Sequence, residues 1–285
     1  MKKILVTGAT GFIGNYVVNE LLANNFLVIA TSSNEEKAKQ ASWYAGVTYI
    51  PFNFVDYNSS INYHHFFGEP DLVIHLAWEG LPNYKETFHL TENLPRHLAL
   101  LANMIKNGLR DLTVTGTCFE YGKTEGKLSE AMETHPANSY AQAKDELRKH
   151  LQLMCVQFQF HFKWLRLFYM YGKGQLVNSL FSQLDKALEK NEESFNMSGG
   201  AQQRDYLPVE KAATYIVKVA LQQEVDGIIN CCSGQPVSVK NMVENYLEEK
   251  KKAIHLNLGY YPYTDYEAMA FWGDNNKLKL VINDD

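Results

Sequence analysis

A doubly wound α/β fold on a parallel sheet is the class that the sequence predicts, and three observations carry it. A short apolar run at residues 4–6 breaks at once into glycines spaced three apart, Gly8, Gly11 and Gly14. A helical pattern begins at Phe12, with Ile13, Val17, Val18, Leu21 and Leu22 on one face and Asn15, Asn19 and Glu20 opposite. Short apolar runs and helical stretches then alternate as far as residue 168, the pattern of parallel strands joined by crossover helices.

In chain order, residues 27–31 read as a second strand, followed by the polar segment 32–40. Strands at 47–52 and 72–77 come next. A helix over about 87–107 ends near Gly108, which caps its C-terminus. A fifth strand at 112–115, a helix at 139–157 and a sixth strand at 162–168 follow. Beyond residue 170 the rhythm changes, and helices at 176–190, 208–223 and 238–250 surround an apolar run at 227–232. The tail is dense in aromatics: Tyr260, Tyr261, Tyr263, Tyr266, Phe271 and Trp272. Such a cluster either covers core or builds a second lobe.

Composition narrows the partners. Of 285 residues, 46% are apolar and 21% charged, as in a soluble chain with a substantial core. A formal charge of −5 argues against a nucleic-acid surface, and Lys250, Lys251 and Lys252 read as a solvated helix end. No apolar stretch reaches the roughly 18 residues of a membrane span, and no signal-peptide pattern precedes the first strand. Cys118, Cys155, Cys231 and Cys232 lack C-x-x-C or Cys/His ligand spacing, so no metal site is expected. The expectation is a cytoplasmic, reduced protein with no membrane contact.

The opening glycines carry chemistry. Gly8 permits a tight turn, Gly11 lets a pyrophosphate approach the backbone, and Gly14 lets the helix pack against the strand. Free N–H groups around Gly8, Thr10, Gly11, Phe12 and Ile13 then meet the phosphates, with the helix dipole favouring negative charge. The run Thr7-Gly8-Ala9-Thr10-Gly11-Phe12-Ile13-Gly14 resembles the extended short-chain dehydrogenase/reductases that act on nucleotide sugars. That resemblance spans about residues 3–235. It implies a Rossmann domain at 1–168, to which 206–234 returns, and a substrate-binding lobe made of 169–205 and 235–285.

NAD-binding folds place an acid about 20 residues beyond the glycines to hold the adenosine ribose. Here the slot reads Thr31-Ser32-Ser33-Asn34. Ser32 and Ser33 leave room for a 2′-phosphate and Lys37 is near, which tilts the choice between NADP and NAD toward NADP. Asn53 and Phe54 match the family's adenine-side pair. Leu76 and Ala77 match the segment bordering the cofactor, with Trp78 beside the substrate. His75 reads as structural.

Tyr140-Ala141-Gln142-Ala143-Lys144 places a phenol and an ammonium on one helix face. The ammonium favours the phenolate, and in the family the lysine also donates to the nicotinamide ribose. Family members carry Ser or Thr four places before the Tyr of a Tyr-Gly pair. Here that pair is Tyr121-Gly122, which selects Thr117. Thr117, Tyr140 and Lys144 are therefore the expected catalytic set. For the diphosphate, Arg204 in Arg204-Asp205-Tyr206 matches an R-D-Y/W motif, with a surface salt bridge as its other reading, and Asn178 matches an asparagine of the epimerases. Tyr169 replaces the family's Asn after R-L-F.

Departures from the family refine the expectation. The Asp-Glu pair of the 4,6-dehydratases is replaced by Cys118 and Phe119, and Glu120 comes one place late. The implied activity is NAD(P)H-dependent reduction of a nucleotide-linked 4-keto-6-deoxyhexose for surface-polysaccharide synthesis. A nucleotide-sugar 4-epimerase and a cofactor-sensing regulator are the alternatives. Family analogy adds a homodimer through the helices at 87–107 and 139–157.

Overall fold

Successive side chains of a strand point to opposite faces, and both faces of the first strand are apolar. In the computed structural model, which describes residues 2–265 and 267–282, Ile4 and Val6 enter one core and Leu5 another. A parallel sheet loaded in this way is covered by helices on both sides. Tyr266 and the last three residues of the expected C-terminal lobe lie outside the described residues.

The strands are β1 (Lys3–Thr7), β2 (Leu27–Thr31), β3 (Thr48–Tyr49), β4 (Leu72–His75), β5 (Asp111–Thr117), β6 (Gly126–Leu128), β7 (His161–Leu167), β8 (Tyr169–Tyr171), β9 (Ser194–Asn196), β10 (Gln203–Pro208), β11 (Gly227–Cys231), β12 (Pro236–Ser238), β13 (His255–Asn257) and β14 (Phe271–Gly273). The α-helices are α1 (Phe12–Ala23), α2 (Glu35–Lys39), α3 (Tyr63–Phe66), α4 (Leu94–Lys106), α5 (Ser139–Phe158), α6 (Leu180–Glu189), α7 (Val209–Leu221), α8 (Val239–Glu249) and α9 (Asn276–Ile282). Seven strands form the main sheet in the order β11-β7-β5-β4-β1-β2-β3, every pairing parallel. The order reverses between β1 and β4. A crevice opens there, beyond the carboxyl ends of the strands.

One face of the sheet packs on α1, α7 and α9, and the other on α4 and α5. A second lobe holds the three-stranded sheet β12-β10-β8 and the pair β13-β9. Its core joins Phe181 and Leu184 of α6 to Phe195, Met197 and Met242, Val243 and Leu247 of α8. Among the described residues, no helix is long and apolar enough to cross a membrane.

Four expectations change. The third strand shortens to Thr48–Tyr49 at the sheet edge, beyond which the Ile50 and Phe52 N–H groups still donate to the Ala30 and Ser32 carbonyls at 3.0 and 3.2 Å. The helix at 87–107 opens with a widened π-type turn at His89–Asn93 before α4, since Pro95 cannot bond back to the preceding turn. The helix drawn from residue 176 begins at Leu180, capped by the Ser179 side chain. The tail assigned to the second lobe divides: β14 pairs with β6, and Leu278 and Ile282 of α9 enter the core beside α1 and α7. Tyr260, Tyr261 and Tyr263 stay exposed, whereas Phe271 is buried.

Candidate active site

Backbone closeness explains the glycines. Gly8 has φ +69°, and a side chain there would lie 2.8 Å from the Ala77 nitrogen at the end of β4. One at Gly14 would collide with the Gly8 carbonyl, so α1 sits against the turn because Gly14 has no side chain. The first turn of α1 has no side-chain cap and no acid, which leaves its N–H groups and dipole for an anion. Gly8, Thr10, Gly11, Ser32, Ser33, Phe54, Leu76, Ala77 and Trp78 line one cleft, joined by Thr7, Thr31, Phe52 and Glu79. These residues fit a dinucleotide: glycine turn, bare helix start and small polar groups at the far end.

Five expected contacts stand outside that lining: Phe12, Ile13, Asn53, Tyr140 and Lys144. Phe12 packs edge-on to Tyr16, Ile13 lies against the core, and the Asn53 side chain accepts from the Val55 N–H at 3.2 Å. At the ribose end, the Ser32 hydroxyl lies 2.9 Å from that of Tyr49. Glu35 and Glu36 are paired with Lys39, at 3.4 and 2.9 Å, and neither lines the cleft.

Thr117, Tyr140 and Lys144 come together. Thr117 ends β5, and the Asn138 side chain caps α5 so that Tyr140 and Lys144 project one turn apart. Lys144 is 1% exposed, donates to the Thr115 carbonyl at 2.9 Å and lies 4.2 Å over the Trp78 ring. Burial pulls its ammonium down to about 7, against an upward pull from Glu120. Burial also pushes the Tyr140 phenol far above its usual range, and a hydrogen bond with Thr117 pulls the other way. Where the helix spacing alone implies a lysine that favours phenolate, desolvation dominates and keeps the proton on oxygen. A protonated phenol is a donor.

Around this set lies a column of neutral rings whose pairing the sequence does not show. Trp78 Nε1 donates to His89 Nδ1 at 3.1 Å, so His89 carries its proton on Nε2 and donates to the Asn83 carbonyl at 3.0 Å. His97 stacks on Trp78 with ring centres 4.7 Å apart. His75 bridges His97 and the Thr7 hydroxyl, at 2.9 Å each, and burial holds it down at about 3. The segment before α4 straps the start of α5, for Tyr140 N–H donates to Tyr84 O and the Ser139 hydroxyl to Lys85 O, both at 3.0 Å. Of this column only His75 and Trp78 stand out in the sequence.

Cys118 is buried with its thiol pushed up by burial, and Phe119 packs 5.3 Å from Tyr84. Glu120 turns inward to Arg166 and Trp164. Two expected substrate residues are not among those lining the cleft. Asn178 is exposed in the turn before α6. Arg204 is buried: its guanidinium binds Glu267 at 2.7 Å and the Gln203 and Met269 carbonyls, with Phe271 beneath. Asp205 accepts from Ser233, Gly234 and Gly273, a structural staple between β10 and the following turns.

A family model described as NAD dependent epimerase/dehydratase family matches residues 4–232. A dTDP-6-deoxy-L-talose 4-dehydrogenase (NAD(+)) from Aggregatibacter actinomycetemcomitans is 30% identical over 271 residues, 95% of this chain and 98% of that protein. Among solved structures, UDP-glucuronic acid 4-epimerase from Bacillus cereus, in complex with UDP-glucuronic acid and NAD, superposes with a TM-score of 0.85 at 21% identity, covering 99% of this chain and 93% of that one. An NAD-dependent NDP-hexosamine 5,6-dehydratase involved in tunicamycin biosynthesis gives 0.83 at 21% identity, with coverage of 100% and 92%.

Proposed function

The chain belongs to the NAD-dependent epimerase/dehydratase family, and from that premise we propose that it reduces the 4-keto group of a nucleotide-linked 6-deoxyhexose. The observation that carries this reading is the convergence of Thr117, Tyr140 and Lys144, with Tyr140 and Lys144 against Trp78, which lines the cleft. The 4-dehydrogenase relative supports the position on the sugar and the 6-deoxy substrate class. Reduced NAD or NADP, when bound, supplies a hydride. Gly8, Thr10 and Gly11 would hold its phosphates, Ser32 and Ser33 its adenosine ribose, and Lys144 the second ribose.

Thr117 orients the ketone oxygen, and Tyr140 gives that oxygen its proton as C4 becomes tetrahedral. The buried ammonium of Lys144 stabilises the phenolate left behind until solvent reprotonates it. Cys118 and Phe119 offer no acid and base for expelling water, so the chemistry stops at the alcohol. With no carboxylate at the ribose end, NADPH is accepted along with NADH. For Arg204 to hold the diphosphate, it would exchange Glu267 for the ligand.

A dTDP-linked 4-keto-6-deoxyhexose should oxidise one equivalent of NAD(P)H, and 4-deuterated cofactor should deliver its label to C4. Tyr140→Phe should lower turnover by about 100-fold or more with cofactor affinity unchanged. Interconversion of C4 epimers without added reduced cofactor would make the enzyme an epimerase instead.

A further inference from the structure

Glu120 has no exposed surface, yet it is ionisable. A buried carboxylate is strongly unfavourable unless donors match its oxygens. Here every partner donates. Oε1 receives the Thr117 N–H at 2.9 Å and Trp164 Nε1 at 3.0 Å; Oε2 receives Trp164 Nε1 at 3.1 Å and Arg166 Nε at 2.7 Å. Arg148 Nε stands 3.8 Å from Oε2. Burial pushes the Glu120 carboxyl above the ordinary range, and Arg166 and the Thr117 N–H pull it back toward the anion. The backbone also makes way, because any side chain at Gly116 would collide with Trp164 and with the carboxylate. In return, the Thr117 hydroxyl accepts from the Phe119 N–H at 3.2 Å, which closes a capping box around the turn Cys118–Tyr121.

We propose that Glu120 is a positioning residue for the reaction: by holding the Thr117 N–H it fixes the end of β5, so that the Thr117 hydroxyl meets the Tyr140 phenol. Arg166 and Trp164, both from β7, anchor the carboxylate on the neighbouring strand. The alignment of the two hydroxyls is thereby tied to the sheet rather than to the loop that follows. The catalytic meaning of this alignment rests on the reductase reading; the alignment itself does not.

Removing Glu120 alone strands the Arg166 charge, so the test uses Glu120→Leu with Arg166→Met, which removes both charges together. That variant should fold and bind NADH with wild-type affinity. Its kcat should fall about 30- to 100-fold, the effect of a misplacement near 1 Å, with KM little changed. Its crystal structure should show the Thr117 and Tyr140 oxygens moved apart. Glu120→Gln with Arg166→Met keeps an acceptor for the Thr117 N–H, and should restore most of the kcat and the spacing. A folded Leu/Met variant with wild-type kcat and an unmoved Thr117 would overturn the proposal. So would a Gln/Met variant as slow as Leu/Met with Thr117 in place, because charge rather than position would then matter. Should Leu/Met fail to fold, the spacing and kcat of Gln/Met decide between the same outcomes. If the wild type reduces no 4-keto-6-deoxy nucleotide sugar, the reductase reading fails, and the two crystal structures still decide the positioning.

Discussion

Lys144 should make the free protein less stable at acid and neutral pH than it is in alkali. Its ammonium is buried, with the Thr115 carbonyl and the face of Trp78 as its described contacts. A fall from 10.5 to about 7, at about 1.36 kcal/mol per tenfold step, sets about 5 kcal/mol against the charged form. The unfolded chain keeps this proton until near 10.5, while the folded chain releases it near 7. Unfolded protein therefore binds more protons between those values, and stability rises with pH across that window. Below about 7 both states are protonated and the full penalty applies. Between pH 6 and pH 9 the gain from this one group is about 2.5 kcal/mol. Lys144→Met removes the titration but keeps a chain of similar length. Urea unfolding of nucleotide-free protein at both pH values should show the variant's advantage over wild type shrinking by that amount. Parallel pH dependences would refute the reasoning, and would mean that the carbonyl and the indole keep the ammonium charged. The same variant should lose turnover and cofactor affinity, a site kept for chemistry at the expense of stability.

Three further outcomes are expected. Incubation with dTDP-glucose and NAD should yield no 4-keto-6-deoxy product by alkaline absorbance, since Cys118 and Phe119 cannot drive elimination; turnover would overturn the assignment of those positions. In competitive titration NADPH should bind at least as well as NADH, because Ser32 and Ser33 face the cleft and Glu35 and Glu36 are held by Lys39. Strong preference for NADH would show that an acid does reach the ribose. Arg204→Lys should raise KM for the nucleotide sugar about tenfold, the loss of one fork-like contact worth about 1.4 kcal/mol, and leave cofactor affinity alone. An unchanged KM would confine Arg204 to its pair with Glu267.

What was legible in the sequence was local. The glycines announce themselves by their spacing of three, and at Gly8 and Gly14 the close backbone approach excludes a side chain; Tyr140 and Lys144 do so because four residues make one helical turn. Thr117 needed the strand end and the family pattern together. Glu120 escaped as a working residue because the turn after β5 breaks the strand alternation and swings it into the core. Partners distant in sequence were invisible too: Arg204 finds Glu267 on a tail segment, and His75 finds His97 on α4. The second lobe's strands are three to six residues each, too short to show a period.

The return of β11 to the edge of the main sheet has a consequence for how the chain is made. β7 leaves the ribosome well before β11, and until β11 arrives one long side of β7 carries unpaired backbone groups beside Trp164 and Leu165. An open apolar edge of that kind recruits other chains. The exposure ends when β11 pairs with β7. A nascent chain paused anywhere between β7 and β11 therefore carries a sticky seam, and a fragment ending at residue 168 would keep it permanently. The length of that interval is set by how long the segment between β7 and β11 takes to emerge.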